Sequence, residues 1–469
     1  MPRQPKHPVD EVLPAGRLTL LGLQHMSIMY AGSVAVPLIV GSALKLDQAT
    51  IGLLVNADLL VAGIATLIQA VGIGKIMGIR LPVVAGATFS VVNPMIMIGA
   101  QYGMAAVYGA MIASGVFGLL IAKPFAKMIR FFPPLVSGTL LLVIGISLIG
   151  PGAAMIAGHD TEDPGYGAPS HIGLAFLVIL LVVLSTRFLR GFLNQIGPLL
   201  ALAIGLIVAI PLGLVHLNNV ASATWFGLAS PFHFGPPAFP AAAVMSMCVV
   251  MLVTYTESTA DLLAVGEIVG RKPTDSELAR GLATDGFSAV LGGVMNSFPD
   301  TAFAQNVGLV QMTGVRSRWV VAMTGGILLV MGLVPKIGAF IAAIPEPVVG
   351  GVAVVMFAMV AAVGVQTLKR VEFSGNHNTL VVAASLGVGM LPAVSLDRFG
   401  GSIFFKHFPD WLQTICGSPI TVTAVVAFSL NLLFNHLGAG RPTPSGDVPD
   451  PAPRGILPVG SAEDQQEAG

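Results

Sequence analysis

Residues 297–318 read SFPDTAFAQNVGLVQMTGVRSR and interrupt long apolar runs on either side. The segment is too short and too polar for an ordinary membrane span. Phe298 and Pro299 break whatever helix precedes them. Thr301 to Gln305 alternates small polar and apolar residues, which predicts a short extended piece. Asn306 to Thr313 leaves room for about two helical turns. Gly314 then stops the helix, and Arg316 and Arg318 mark a water-facing end. An extended piece that runs into a half-helix presents unpaired N–H groups and the positive end of a helix dipole. Inside a bilayer such broken backbone is tolerated only where it is buried in protein or lines a polar cavity. A ligand site near the membrane midplane is the functional reading; a purely structural re-entrant loop is the competing one.

Composition supports a membrane protein. Of its 469 residues 54% are hydrophobic and only 10% charged, against roughly 25% charged in soluble domains. Mean hydropathy is +0.85. The formal net charge is zero, so nothing points to a nucleic-acid partner. Cys248 and Cys416 both lie in apolar runs and read as packing residues, not as a disulfide or a metal site. The first 15 residues are polar and Pro-rich, unlike a cleavable signal peptide.

Spans need roughly 17–25 apolar residues. Fourteen segments are predicted, with cores near 17–41, 49–71, 82–100, 104–122, 133–151, 171–186, 195–217, 240–266, 279–296, 300–314, 319–335, 346–366, 376–392 and 415–436. The segments at 82–100 and 300–314 are irregular, and the helix ends between Leu391 and Pro419 are the least defined. Residues 438–469, rich in Pro, Gly, Ser and acids, are expected to form a disordered tail. With both termini in the cytoplasm, only Lys45, Lys336, Arg398 and Lys406 of the 23 Lys and Arg fall in outer loops. The outer loop at 152–170 carries Asp160, Glu162 and Asp163 instead. This bias obeys the positive-inside rule, and one span more or fewer would scramble it.

Fourteen divides into seven plus seven. Thr88-Phe89-Ser90-Val91-Val92-Asn93-Pro94 in the third span echoes Thr301-Ala302-Phe303-Ala304-Gln305-Asn306 in the tenth, and Asn93 and Asn306 are 213 positions apart. An odd number of spans per repeat inverts the second repeat relative to the first, so the two half-helix starts should meet near the midplane. The fold class is thus an all-α polytopic membrane protein with an inverted repeat and two strand–half-helix segments.

Ionisable residues inside spans are costly and functional by default. Glu257 and Asp261 lie four apart in the eighth span and share one helix face. Glu257 reads as a direct ligand or proton carrier. Asp261 fits either a functional or a structural role. Asp285 in the ninth span and His25, beside Gln24, in the first read as support. Asp58 has no evident partner and reads as structural. Glu267 and Arg271, again four apart, read as a solvated pair.

Gln305-Asn306-Val307-Gly308, followed by Thr313-Gly314, resembles the signature of the nucleobase–ascorbate transporter family. That signature is Gln, Glu or Pro, then Asn-x-Gly, four variable residues, Thr, and a basic residue or Gly. The Gln24-His25 pair, Glu257, Asp285 and the Thr88-Phe89-Ser90 segment match in the same order, so the resemblance covers about Leu18 to Leu437. It implies a homodimer of fourteen-span subunits with a core domain at 17–123 and 239–335 and a gate domain at 124–238 and 336–437, flanked by cytoplasmic tails at 1–16 and 438–469. It implies that substrate lies between core and gate and crosses by an elevator-like movement. The family's base-binding carboxylate falls on Glu257, its specificity-setting amide on Gln305, and its stacking aromatic on Phe89. Supporting roles fall on His25 and Asp285, and the next motif position is Asn306.

The chemistry suits a flat oxopurine. An ionised Glu257 accepts from ring N–H groups, while Gln305 offers a donor and an acceptor to an amide edge. The backbone amides of Ala304, Gln305 and Asn306 favour carbonyl oxygens or an anion. Thr88 approaches from the opposite half-helix. Within the family Gln at the first motif position goes with xanthine or urate, Glu with uracil and Pro with ascorbate. Thr88, Val307 and Gly314 look more like the bacterial urate type. The expectation is therefore proton-coupled symport of an oxopurine, urate before xanthine, across the cell membrane, with no cofactor or metal and Glu257 as the proton carrier. The alternatives are a uracil or other nucleobase symporter and a sulfate-carrier-type anion exchanger. Enzyme motifs such as His-Glu-x-x-His, Gly-x-Ser-x-Gly or a phosphate-binding loop are absent from the sequence.

Overall fold

The computed structural model describes residues 7–128, 132–158, 165–374, 376–394, 404–405 and 407–437. The tail expected at 438–469 lies outside the described residues, as do Arg3, Lys6, Arg130, Asp160, Glu162, Asp163, Arg398, Lys406, Arg441 and Arg454.

The described residues are mostly helical. Its first half runs α1 (Ala15–Ser33), α2 (Ala35–Ala43), α3 (Gln48–Val71), β1 (Ala85–Ala87), α4 (Val92–Tyr102), α5 (Met104–Met128), α6 (Pro134–Ser147), α7 (Ile149–Ala157), α8 (Pro169–Phe188), α9 (Phe192–Gln195), α10 (Gly197–Ala209) and α11 (Asn218–Ser222). The second runs α12 (Ala241–Val269), α13 (Asp275–Met295), β2 (Asp300–Ala302), α14 (Ala304–Thr313), α15 (Arg318–Gly332), α16 (Pro335–Ala342), α17 (Glu346–Leu368), α18 (Asn376–Val394), α19 (Asp410–Cys416) and α20 (Pro419–Asn431). Among the described residues nine helical segments are long and apolar enough to cross a membrane, or ten if α15 and α16, bent by 80°, count as one. The protein is a multi-pass membrane protein. Fewer crossings are counted this way than the fourteen expected because the segments around α4, α10 and α14 are short and α13 begins with charged residues.

The opening stretch folds nearly as its residues dictate. Asn296, in the left-handed region at φ 60°, closes α13, and β2 follows. Phe303 stays extended, so α14 begins at Ala304, two residues before the expected start, and ends at Gly314 with φ 65°. In the other half β1 leads through a 3-10 turn at Phe89–Val91 into α4.

β1 and β2 pair antiparallel, with Ala85 opposite Ala302, Gly86 opposite Thr301 and Ala87 opposite Asp300. Two further bonds extend the ladder, Thr88 N–H to the Pro299 carbonyl (3.0 Å) and Phe303 N–H to the Val84 carbonyl (2.9 Å). Alternation along an antiparallel pair turns the N–H groups of Ala85, Ala87, Asp300 and Ala302 outward. Each meets a hydroxyl from a surrounding helix. Ser33 Oγ of α1 accepts from Ala87 at 3.0 Å and Thr66 Oγ1 of α3 from Ala85 at 2.9 Å. Ser258 Oγ of α12 accepts from Ala302 and Ser288 Oγ of α13 from Asp300, both at 3.1 Å. Residues from the two halves thus take matching places around the strand pair.

Helix packing repeats the match. Small residues let helices approach closely where lipid gives no hydrophobic drive. A Cβ on Gly63 of α3 would lie 2.8 Å from the Gly325 carbonyl of α15, and one on Gly325 would lie 2.9 Å from the Gly63 carbonyl. Gly115 of α5 and Gly286 of α13 have the same reciprocal relation, at 2.8 and 3.2 Å. Overpacking of such contacts costs about 1–3 kcal/mol. Gly63→Val and Gly286→Val should therefore each lower the thermal unfolding temperature of the purified protein clearly. Gly326→Ala, where a Cβ meets nothing within 4 Å, should leave it unchanged.

Candidate functional site

Beside the strand crossing lies a cavity of about 260 Å³, just under the roughly 300–1,000 Å³ usual for small-molecule pockets. One wall comes from the strand segments and α12: Ala87, Thr88, Phe89, Thr301, Ala302, Phe303, Ala304, Gln305, Glu257 and Asp261. The opposite wall is apolar and comes from α6 (Leu141, Ile144) and α17 (Met359, Val360, Val363). Phe89 is held edge-on against Phe357 of α17, ring centres 5.3 Å apart.

Glu257 is fixed by the chain that follows β1. Thr88 Oγ1 donates to its Oε2 at 2.9 Å and Ser90 Oγ to its Oε1 at 2.5 Å. The two hydroxyls are 3.0 Å apart. When Glu257 is ionised, both can donate to it. When one carboxylate oxygen carries a proton, Thr88 can turn its hydrogen to Ser90 instead, so both charge states keep a complete hydrogen-bond set. Asp261, one turn further along the same face of α12, also reaches the cavity.

At the start of α14 no side chain caps the helix. Asn306 N–H bonds the Phe303 carbonyl at 2.9 Å. Among the described residues the N–H groups of Ala304 and Gln305 have no protein partner, and neither does the Gln305 side-chain amide. A carboxylate, a free primary amide, two free N–H groups and the aromatic residue Phe89 therefore meet in one space. This set can grip a flat, amide-edged molecule and neutralise partial negative charge.

The other expected residues sit behind this surface. Asn306 Nδ2 reaches the His25 carbonyl at 2.9 Å and His25 Nδ1 at 3.1 Å, so the side chain expected on substrate ties α14 to α1 and does not line the cavity. His25 is buried and Gln24 does not line the cavity. Asp285 accepts from Gln69 Nε2 at 3.1 Å, behind the strands. Asp58 has a partner after all, Ser33 Oγ at 2.8 Å, the same hydroxyl that accepts from Ala87. The expected Glu267–Arg271 pair is corrected. α12 ends at Val269 and Gly270 is left-handed, so Arg271 lies past the helix and pairs with Glu277 at 2.6 Å. Cys248 and Cys416 are free, and among the described residues no His, Cys, Asp or Glu group is arranged to hold a metal ion. The sequence reading names Ser90 within the third-span segment but gives it no role of its own, although Thr-x-Ser after a broken span was a usable signal. The α6 and α17 wall carried none.

A mostly helical multi-pass membrane protein with a small polar-and-aromatic cavity between two helix groups is the class that fold and site define. Residues 16–397 match the family model Xan_ur_permease, described as Permease family, and the chain belongs to this family, the nucleobase–ascorbate transporters. It is 42% identical to "Uric acid transporter UacT" of Escherichia coli K12 over 92% of this chain and 89% of that one. It is 41% identical to "Xanthine permease" of Bacillus subtilis 168 over 90% and 94%. In fold it is similar to the transmembrane domain of the cyanobacterial bicarbonate transporter BicA, with TM-score 0.56, 16% identity and 89% and 97% of the chains covered. It is also similar in fold to the murine anion transporter Slc26a9, with TM-score 0.57, 13% identity and 89% and 68% covered.

Loss of a charge-assisted hydrogen bond costs about 1.5–3 kcal/mol. The Ser90–Glu257 bond exists without ligand, so Ser90→Ala should lower the unfolding temperature of the ligand-free protein and, by leaving Glu257 with one partner fewer to hold it, also weaken ligand affinity at this cavity. A Kd unchanged from wild type would remove Ser90 from the site.

Proposed function

We propose that this protein is a proton-coupled symporter of an oxopurine, urate in preference to xanthine, acting in the cell membrane and not as an enzyme. The observation that carries the reading is the convergence of Glu257, Gln305, the free Ala304 and Gln305 amides and Phe89 on one cavity. Relatives at about 40% identity whose names specify uric acid and xanthine support it. Glu257 accepts from ring N–H groups, Gln305 reads one amide edge, Phe89 stacks, and Thr88 orients Glu257 from the other half-helix. His25, Asn306, Gln69 and Asp285 hold the surface from behind.

In this reading the chain crosses the membrane fourteen times as a seven-plus-seven inverted repeat, with both termini cytoplasmic. The antiparallel strands, the four matched hydroxyls and the reciprocal glycine pairs support the inversion. Gly138 of α6 and Gly364 of α17 support it too, a Cβ on either lying 3.1 or 2.8 Å from the other's carbonyl. Residues 17–123 and 239–335 form the moving core, and 124–238 with 336–437 the gate that also pairs two subunits. α6 and α17 give the gate a smooth apolar wall along which the core slides. Glu257 carries the coupled proton, its two charge states served by Thr88 and Ser90.

A second reading, an anion exchanger, is favoured by the likeness in fold to the bicarbonate and Slc26a9 transporters. Uptake of labelled urate, xanthine, uracil and sulfate separates the two. Oxopurine uptake that wild type shows and Glu257→Gln lacks, at equal expression, is the expected result; sulfate uptake without purine uptake would sink the proposal. Gln305→Glu should weaken competition by oxopurines by about one to two decades, since a carboxylate facing a carbonyl costs about 1–3 kcal/mol. Thr88→Ala should broaden the choice among oxopurines more than it weakens binding.

Coupling has its own test. Concentrative uptake should collapse with a protonophore and persist without sodium. A sodium requirement with indifference to the protonophore would contradict proton coupling.

A further inference from the structure

A second cavity, of about 470 Å³, lies where the N-terminal segment meets the ends of α3, α12 and α15, and Asp10, Val12, Arg80, Arg271, Arg318 and Trp319 line it. None of these residues takes part in the central site, and four separate stretches of chain supply them. Each arginine is built into place. Arg80 holds a left-handed backbone at φ 60°, a conformation that costs a non-glycine residue about 1–3 kcal/mol. Its N–H bonds the Gln69 carbonyl at 2.8 Å, and its Nη2 donates to the Gly74 carbonyl at 3.0 Å. Arg318 donates from Nε to Asp10 at 2.7 Å and from Nη1 to the Ala70 carbonyl at 2.9 Å, and its guanidinium lies 4.7 Å from the Trp319 ring centre. Arg271 donates from Nη2 to Glu277 at 2.6 Å.

Two of these three cations thus face a carboxylate, and Arg80 faces none among the described residues. Among the described residues free N–H donors remain on all three: Nε and Nη1 of Arg80, Nε of Arg271 and Nη2 of Arg318. We propose that this cavity binds a phosphate-bearing anion, gripped by Arg80, Arg271 and Arg318 together. Planar guanidinium forks match phosphate oxygens, and several forks from different directions suit a tetrahedral group. An occupant would neutralise the unpaired charge and tie the four stretches to one another. The rim is apolar. Val12 is 66% exposed, and in the turn that Arg80 holds through Gly74, Ile73 is 46% and Ile76 71% exposed. Basic residues among exposed apolar ones are the pattern of a surface at the lipid headgroup layer. An anionic phospholipid headgroup is therefore one source of the phosphate, and a soluble phosphate compound the other.

The assignment does not depend on what the central cavity carries. Purified full-length wild type, Arg80→Gln and Arg80→Lys would be titrated at fixed ionic strength, following thermal unfolding. The probes are inorganic phosphate, dioleoylphosphatidylglycerol and dioleoylphosphatidylcholine. Wild type should be stabilised by phosphatidylglycerol or by phosphate but not by phosphatidylcholine. Arg80→Gln should raise the half-saturating concentration by about tenfold or more, with Arg80→Lys between them. Stabilisation by phosphatidylglycerol alone identifies a lipid site, and by phosphate alone a soluble ligand. If Arg80→Gln does not fold, Arg271→Gln takes its place with the same expected shift. No stabilisation by either anion, or equal midpoints in wild type and variant, would overturn the proposal.

Discussion

Two strands of three residues, buried inside a membrane protein, have four outward N–H groups and, among the described residues, no neighbouring strand. In a soluble sheet water would satisfy such edges; in a bilayer each unsatisfied group costs several kcal/mol. Ser33, Thr66, Ser258 and Ser288 solve this problem one hydroxyl at a time. The arrangement requires α1, α3, α12 and α13 to surround the crossing at hydrogen-bond distance. Close approach of α3 to α15 and of α5 to α13 through paired glycines completes the support. The strand-side wall of the cavity follows from that crossing.

α12 shows how tightly structure and site are joined. Ser258 holds the edge of β2, while the adjacent Glu257 takes two hydroxyls from the chain after β1. One turn of helix is thus bonded to both half-helix segments. A change in charge at Glu257 acts on Thr88 and Ser90 directly, and these lead into the 3-10 turn that carries Phe89 against α17. In the proposed mechanism this is the route by which protonation, base binding and the surface facing the gate are coupled. Asp58 joins the same framework through Ser33, and Asp285 through Gln69.

Much of this was legible in the sequence. Pro299 and Gly314 bracket a break that no ordinary span tolerates, and an i,i+4 carboxylate pair in an apolar helix announces a polar face. The signature at Gln305–Gly314 and the matching order of the other motifs pointed to the family. What was not legible depends on pairings distant in the chain. A serine in an apolar helix carries no mark that it caps a strand edge, so the four hydroxyls and the partner of Asp58 were invisible. Asn306 sits one residue from Gln305, yet a helical step of about 100° turns it away from the cavity and onto His25. The Leu141, Ile144, Met359 and Val360 wall consists of residues that any lipid-facing helix carries. Arg271 found Glu277 because Gly270 ended the helix one residue before the expected pairing could form.

The central claim is that the space between the strand crossing and α6–α17 holds an oxopurine. A structure of the full-length protein in lipid nanodiscs with urate tests it most directly. The account predicts ring-shaped density in the cavity, with a ring nitrogen within hydrogen-bond distance of Glu257 and an amide edge on Gln305, stacked beside Phe89. Urate density elsewhere, or an empty cavity at a urate concentration that saturates binding in solution, would contradict it.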